Sequence, residues 1–463
     1  MTDSTGDRGP ILELEIGDVA HGGVFVARHE GRVVFVPDVL PGERVLARVT
    51  DASKSSFWRA EAIEVRDASP HRRPHVWREA DIAVAPENRP GGADFGHIAL
   101  EHQRELKLTV LRDALKRFGG MPDPDVSIAP AGSGSDAESA DGTGWRTRVS
   151  LHVDDDGRIG PYAARSHRVI AVESLPLATP DIERIALSLA SGEPGRIDLV
   201  QPADGRVRVL PRPETERGRR RGGRGRGAGG AGRSGAGGKA SSGGAGTGGP
   251  RPAAPEVVVE RVGDREFRVD AGGFWQVHRL AASTLASTVE RTLRGLGDAV
   301  GWDADAWHLD LYGGVGLFAA TLGEVGGPAT RVTSVESDPR ATEHAGENLA
   351  EWVGARAETG RVDRWLARLA AEASTAERER LSRGVVLLDP PRAGAGRAVV
   401  ESVASLSPAA VVYVACDPVA LARDLATFRE AGYDTTGAQA LDLFPHSHHV
   451  EAVAALTPVT GRR

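Results

Sequence analysis

Cys416 is the only cysteine among 463 residues, and it stands where a nucleophile would be useful. It follows the apolar run Val411-Val412-Tyr413-Val414-Ala415 and precedes Asp417-Pro418. That run reads as a buried parallel strand, and ligands of open α/β sheets bind beyond the carboxyl ends of such strands. A lone free cysteine is often only a small buried hydrophobe, but the neighbouring motifs argue for chemistry. Leu387-Leu388 runs into Asp389-Pro390-Pro391-Arg392, and the prolines force an extended loop at the same sheet edge. Asp310-Leu311-Tyr312-Gly313-Gly314-Val315-Gly316 follows a further apolar strand and opens a helix. Gly314 and Gly316 let the backbone there approach a ligand closely. Twenty residues past Gly316, Glu336 ends the next strand, where a carboxylate can accept hydrogen bonds from both hydroxyls of a ribose. The pair suits any ligand that carries adenosine.

The elements that must position these residues are strands and helices in alternation over 256–463, the pattern of a parallel sheet covered on both faces. Asp389 and Cys416 end consecutive strands joined by one helix, about residues 397–406, and right-handed crossovers make such strands neighbours or nearly so. Both side chains then reach the crevice of the glycine loop. The last segment is Phe444-Pro445-His446-Ser447-His448-His449-Val450-Glu451, followed by an apolar strand. If that strand runs antiparallel, Glu451 lies at the same edge and is a candidate base facing Cys416. The three histidines alone would allow a metal, but no cysteine partners them, and we expect none.

Upstream, residues 10–67 carry five short alternating runs separated by Gly22-Gly23, Glu30-Gly31 and Pro41-Gly42, which predicts a small β-barrel. Residues 68–125 form a connector with a helix over 98–119, and 126–213 a mostly β central domain. Residues 214–255 are low in complexity, rich in Gly, Arg, Ser and Ala. They cannot bury enough apolar area to offset their ordering entropy, and disorder is expected. The net charge of −7 gives no bulk attraction for nucleic acid; basic charge is concentrated locally, mostly as Arg. No run of 18 apolar residues suggests a membrane span, and the polar N-terminus lacks the apolar core of a secretory signal. With no disulfide possible, a reducing cytoplasm is expected.

In the order Gly273-Phe274-Trp275-Gln276-Val277-His278, the glycine loop, Val335-Glu336, Asp389-Pro390-Pro391-Arg392, Val414-Ala415-Cys416-Asp417-Pro418 and Phe444 to Glu451, the chain resembles the RNA 5-methyluridine (uracil-5) methyltransferase family. The barrel resembles a TRAM domain, an RNA-binding unit, and the likeness spans nearly the whole chain outside 214–255. The resemblance implies an α/β Rossmann-like methyltransferase domain with a mixed seven-stranded sheet, an N-terminal TRAM barrel and a small central β domain. It also implies S-adenosylmethionine as methyl donor, ribosomal or transfer RNA as partner and a monomer. By the same resemblance Cys416 is the nucleophile and Glu451 the base, and Gln276, Tyr312, Glu336, Asp363 and Asp389 contact the donor. Two departures stand out. The family usually has Ser-Cys-Asn-Pro at the nucleophile, where this chain has Ala415 and Asp417. Many members also carry an iron–sulfur cluster between barrel and helix, and residues 71–97 here hold no thiolate to ligate one; no cluster is expected. A single cysteine disfavours the 5-methylcytosine enzymes, which use two. An RNA-binding or ribosome-assembly protein without catalysis and a nicotinamide-dependent oxidoreductase are the remaining alternatives.

Overall fold

The computed structural model describes residues 9–132, 136–214, 255–297, 302–303, 305–435 and 437–459. Almost all of the Gly/Arg-rich segment expected to be disordered lies outside the described residues.

Five strands close the N-terminal barrel: β1 (Ile11–Ala20), β2 (Val24–His29), β3 (Arg32–Val36), β4 (Arg44–Asp51) and β5 (Phe57–Asp67), in the order β1-β2-β3-β5-β4. The period-two pattern sends Leu14, Ile16, Phe25, Ala27, Val34, Val36, Val45 and Ala47 inward. Glu30 and Gly31 both have positive φ, 48° and 79°, as a two-residue hairpin matching strand twist requires. The barrel does not complete its own core: Phe95, Ile98 and Leu106, from beyond it, pack inside the same cluster. Arg72 holds the connector down by gripping fully buried Glu43 with Nε and Nη2, at 2.6 and 2.7 Å.

Helix α1 (Leu100–Arg117) then crosses to the C-terminal sheet, where buried Lys107 meets Asp442 at 2.5 Å. The next strand, β6 (Asp125–Pro130), corrects the expected boundary. It joins the edge of the large sheet, in parallel register with residues 437–442, and not the central domain. The sequence reading assigns no strand here, and a short alternating run carries no information about which sheet it would enter. The central domain is a four-stranded sheet of β7 (Arg148–Val153), β8 (Ile159–Gly160), β9 (Gly195–Val200) and β10 (Arg208–Pro213), backed by α2 (Pro180–Ser188). A hairpin of β11 (Val257–Val262) and β12 (Arg265–Asp270) and helix α3 (Ala281–Gly295) lead into the main sheet.

There the chain alternates as expected: β13 (Trp307–Leu311), α4 (Leu317–Gly326), β14 (Arg331–Glu336), α5 (Pro339–Asn348), β15 (Ala355–Thr359), α6 (Val362–Glu372), α7 (Thr375–Ser382), β16 (Val385–Leu388), α8 (Arg397–Ser405), β17 (Ala410–Ala415), α9 (Pro418–Glu430), β18 (Tyr433–Asp434), β19 (Gly437–Asp442) and β20 (Glu451–Pro458). Among the described residues the sheet has nine strands, not seven, in the order β15-β14-β13-β16-β17-β20-β19-β6, with β18 against β20. β16 and β17 are buried along their whole length, which is why their sequences are continuous apolar runs. The chain winds outward from β13 in one direction and from β16 in the other, so a crevice opens between their carboxyl ends.

Candidate active site

The first wall of that crevice is the turn after β13. Tyr312, Gly314 and Gly316 have φ of 67°, 55° and 91°, a left-handed run that glycine adopts without strain and tyrosine does not. Gly313 is required for a different reason: a Cβ there would lie 1.9 Å from Ser334 Oγ. The Tyr312 and Gly313 amides donate to Val335 O at 3.0 and 3.1 Å. Asp310 braces the loop from beneath, accepting from the Ala319 amide (3.1 Å) and Ser334 hydroxyl (3.2 Å) through one oxygen; its other oxygen is buried without a partner. Glu336 accepts from the Gly314 amide at 3.2 Å and the Asp338 amide at 2.8 Å, which points its carboxylate over the loop.

The second wall is the junction of β17 and β20. Ala415 pairs with Ala452 in antiparallel register; one step further, Cys416 lies beside Glu451. Side chains directly opposite each other in such a pair share one face of the sheet. Asp389 ends β16, the other neighbour of β17. Asp424 on α9 fixes the loop after it, accepting from the Ala395 amide and the Tyr413 hydroxyl at 2.7 and 2.5 Å.

Acids dominate this junction. Burial, then the charges of Glu451 and Asp389, push the Cys416 thiol up to about 12, with Arg392 pulling the other way. Burial and the charge of Asp310 push Asp389 up to about 7. Burial first, and Asp389 second, hold Glu451 well above the usual carboxylate range. These groups resist carrying negative charge together, and a cation placed among them would relieve all three.

A cavity of about 1270 Å³ joins the walls. It is lined by Gln276, Tyr312, Gly314, Glu336, Asp363, Asp389, Cys416 and Glu451. Gly316 does not line it. Its absent side chain faces Leu349 and Ala345, so it serves the entry to α4 and the packing of that helix. Asp363 reaches the cavity while paired with Arg361 at 2.9 Å. The histidines before β20 separate: His446 bonds Gln103 and the Asp141 carbonyl, and His448 bonds Asp94 at 2.6 Å. Among the described residues no cluster of His, Cys, Asp or Glu is arranged to hold a metal. Residues without a role in the sequence reading also line the cavity, notably Arg146, Phe274 and Arg392. Phe274 is 74% exposed, a signal no sequence pattern carries.

An S-adenosylmethionine molecule fits this donor set. The glycine turn leaves room at Gly314, Glu336 stands at the end of β14 for ribose hydroxyls, and the acids beside Cys416 favour a sulfonium charge.

A glycine-looped α/β sheet with an acidic-Pro-Pro strand end defines a Rossmann-like methyltransferase. Residues 7–63 match the TRAM domain family and residues 363–458 the tRNA (Uracil-5-)-methyltransferase family. An uncharacterized RNA methyltransferase of Streptomyces avermitilis is 38% identical over 97% of this chain and 99% of its own length. The 23S rRNA (uracil(1939)-C(5))-methyltransferase RlmD of Shewanella denitrificans is 28% identical over 96% of this chain and 95% of its own. The Pyrococcus abyssi tRNA (uracil-54, C5)-methyltransferase, solved with S-adenosyl-L-homocysteine, shares the fold. It has a TM-score of 0.62 at 21% identity and covers 96% of this chain and 100% of that one. The chain belongs to the RNA uracil-5-methyltransferase family, S-adenosylmethionine-dependent enzymes carrying a TRAM domain.

Proposed function

We propose that this enzyme methylates carbon 5 of a uridine in structured ribosomal or transfer RNA, in the cytoplasm, through a covalent bond between Cys416 and carbon 6. The observation that carries the reading is the register of β17 and β20, which sets the one thiol of the chain beside a buried carboxylate at the mouth of the glycine-lined crevice.

Uracil carbon 5 is too weak a nucleophile to take a methyl group unaided. Addition of the Cys416 thiolate to carbon 6 moves the ring electrons onto the carbon 4 oxygen and makes carbon 5 reactive. Bound S-adenosylmethionine supplies the electrophilic methyl. Glu451 then takes the proton from carbon 5, the 5,6 double bond reforms, and the thiolate leaves. A carboxylate held above its usual range is a stronger base for that proton. Arg392 favours the thiolate, and a cationic donor in the cavity acts in the same direction. Gln276, Tyr312, Glu336, Asp363 and Asp389 would hold the donor, and the target base leaves its stack to enter.

RNA carrying 5-fluorouridine tests this, because fluorine cannot leave carbon 5 as a proton. A donor-dependent protein–RNA species that survives denaturation, joined through Cys416, is expected. Full methylation of ordinary RNA with no trapped species on the fluorinated RNA rejects the mechanism. Mapping 5-methyluridine in ribosomal and transfer RNA from cells lacking the protein identifies the target.

A further inference from the structure

The nucleophile has a neighbour that its own domain does not supply. The turn between β1 and β2 of the barrel reaches across to the catalytic loop, and His21 Nε2 stands 3.2 Å from Asp417 Oδ2. Asp417 immediately follows Cys416 and is one of the chain's departures from the usual family pattern, which has a neutral Asn there. Its other oxygen caps α9, accepting from the Val419 and Ala420 amides at 3.0 and 2.8 Å. Two residues along the turn, Gly23 seats against the segment before β20: a Cβ there would lie 2.5 Å from Asp94 Oδ2 and 2.8 Å from His448 Cβ. A small cavity of about 140 Å³ separates the turn from the thiol, lined by His21, Gly22, Gly23, Cys416 and Asp417.

A carboxylate next to a nucleophilic cysteine works against thiolate formation. It also occupies the helix N-terminus whose amides would otherwise favour a thiolate. An asparagine would cap the helix without that charge. We propose that His21 is a positioning residue of the active site. It holds Asp417 from the barrel and offsets its charge, so that the reactivity of Cys416 depends on the docked barrel.

His21 is held above the ordinary imidazole range by its hydrogen bond to Asp417, and the same interaction helps hold Asp417 below the usual carboxylate range. The other charged groups around the small cavity are Lys107, Arg392, His448 and His449. Lys107 is paired with Asp442, His448 with Asp94 and Arg392 with His449, which leaves His21 as the group seated on Asp417.

The inference rests on Cys416 being the nucleophile, but its test does not require methyl transfer. Because Cys416 is the only cysteine, the rate of alkylation of Cys416 in the full-length protein by iodoacetamide reads this thiol alone, measured at a fixed pH of about 6, where an imidazole held above its ordinary range carries its charge. His21→Ala should slow alkylation about three- to fivefold, the size expected of one partly exposed ion pair. Asp417→Asn should react at least as fast as the parent, and His21→Ala added to Asp417→Asn should change nothing further. An unchanged or faster rate for His21→Ala alone overturns the proposal. So does equal slowing in both backgrounds, which would mean that His21 acts by holding the barrel in place and not through Asp417. If this pattern holds and no adduct forms on fluorinated RNA, it is the nucleophile's role that falls, and the coupling stands.

Discussion

The two walls of the cavity are put together in opposite ways. The wall assigned to the donor is local: each strand end is followed at once by the turn it uses, as β13 is by Tyr312 to Gly316 and β14 by Ser337-Asp338. The nucleophile wall is long-range. It assembles a barrel turn at 21–23, Asp94 of the connector, Cys416-Asp417 and the segment before β20, with hydrogen bonds spanning as many as 354 positions. A local wall states its requirements residue by residue, since Gly313 has no room for a Cβ and Gly314 needs a left-handed backbone. A long-range wall states only its reacting groups and leaves their support to the fold.

The comparison breaks most sharply at Cys416. Cys416→Ala should lower methyl transfer on the order of ten-thousandfold or more, as loss of a covalent nucleophile does. Donor affinity by calorimetry should stay within about twofold, because the residues proposed to hydrogen-bond the donor do not include Cys416. A collapse of donor affinity would show that the walls are not separable. Glu451→Gln comes next. Removing the base should cost about 10²- to 10⁴-fold in turnover while leaving thiol addition possible, so a protein–RNA adduct should accumulate on a denaturing gel. Normal product yield without that band removes Glu451 from the role.

From the other side, Glu336→Gln should weaken donor binding about tenfold, the effect of losing charged acceptors for ribose hydroxyls. The alkylation rate of Cys416 should not move. A slower alkylation would mean that the donor wall sets the thiol's environment directly.

This contrast explains what could be read from the chain. The glycine loop, Glu336, Asp389 and the Cys416–Glu451 pairing were legible because strand alternation, proline and glycine constrain the backbone nearby. Gly316 was legible as a glycine but not in its task, since what its missing side chain faces, Leu349, comes from a separate helix. β6 was missed as a strand, and its sheet could not have been assigned, because period-two alternation is blind to partners. His21 offered no signal at all: a histidine in an exposed turn gains meaning only when the barrel docks. The connector shows the converse. Its lack of cysteine was plain, whereas the Arg72–Glu43 pair that secures it was not. Elemental analysis of the purified protein should find no iron; stoichiometric iron with visible absorbance would overturn that expectation.

The smallest effect, and the finest test of the division between binding and chemistry, lies on the barrel's outer face. Deleting residues 1–67 is not a clean test, because Phe95, Ile98 and Leu106 would lose the core they pack in. Nor are all the barrel's cations free for RNA. Arg44 is held between Glu13 and Asp67, at 2.5 and 3.2 Å, and Arg32 lies over Trp58 with its guanidinium carbon 4.8 Å from the ring centre. Arg28 and Arg59 are exposed, Arg59 with its guanidinium carbon a looser 5.9 Å from the centre of the Phe57 ring. Strand register places them on one outer face with Phe35 and Phe57 between them, the two rings 5.7 Å apart and edge-on. Cations flanking partly exposed aromatic rings suit an unpaired stretch of RNA, with phosphates on the arginines and a base on the rings. The two contributions separate by salt. Removing one arginine–phosphate pair should reduce the slope of log affinity against log salt by about 0.7 to 0.9, so Arg28→Ala with Arg59→Ala should reduce it by roughly 1.5. Phe57→Ala should lower affinity several-fold at every salt concentration and leave the slope alone. Neither change should alter donor affinity or Cys416 alkylation, since neither touches the turn at His21. If the double arginine variant keeps the parent's slope, RNA tracks along some other face, and the barrel's part in this enzyme is confined to its turn against the catalytic loop.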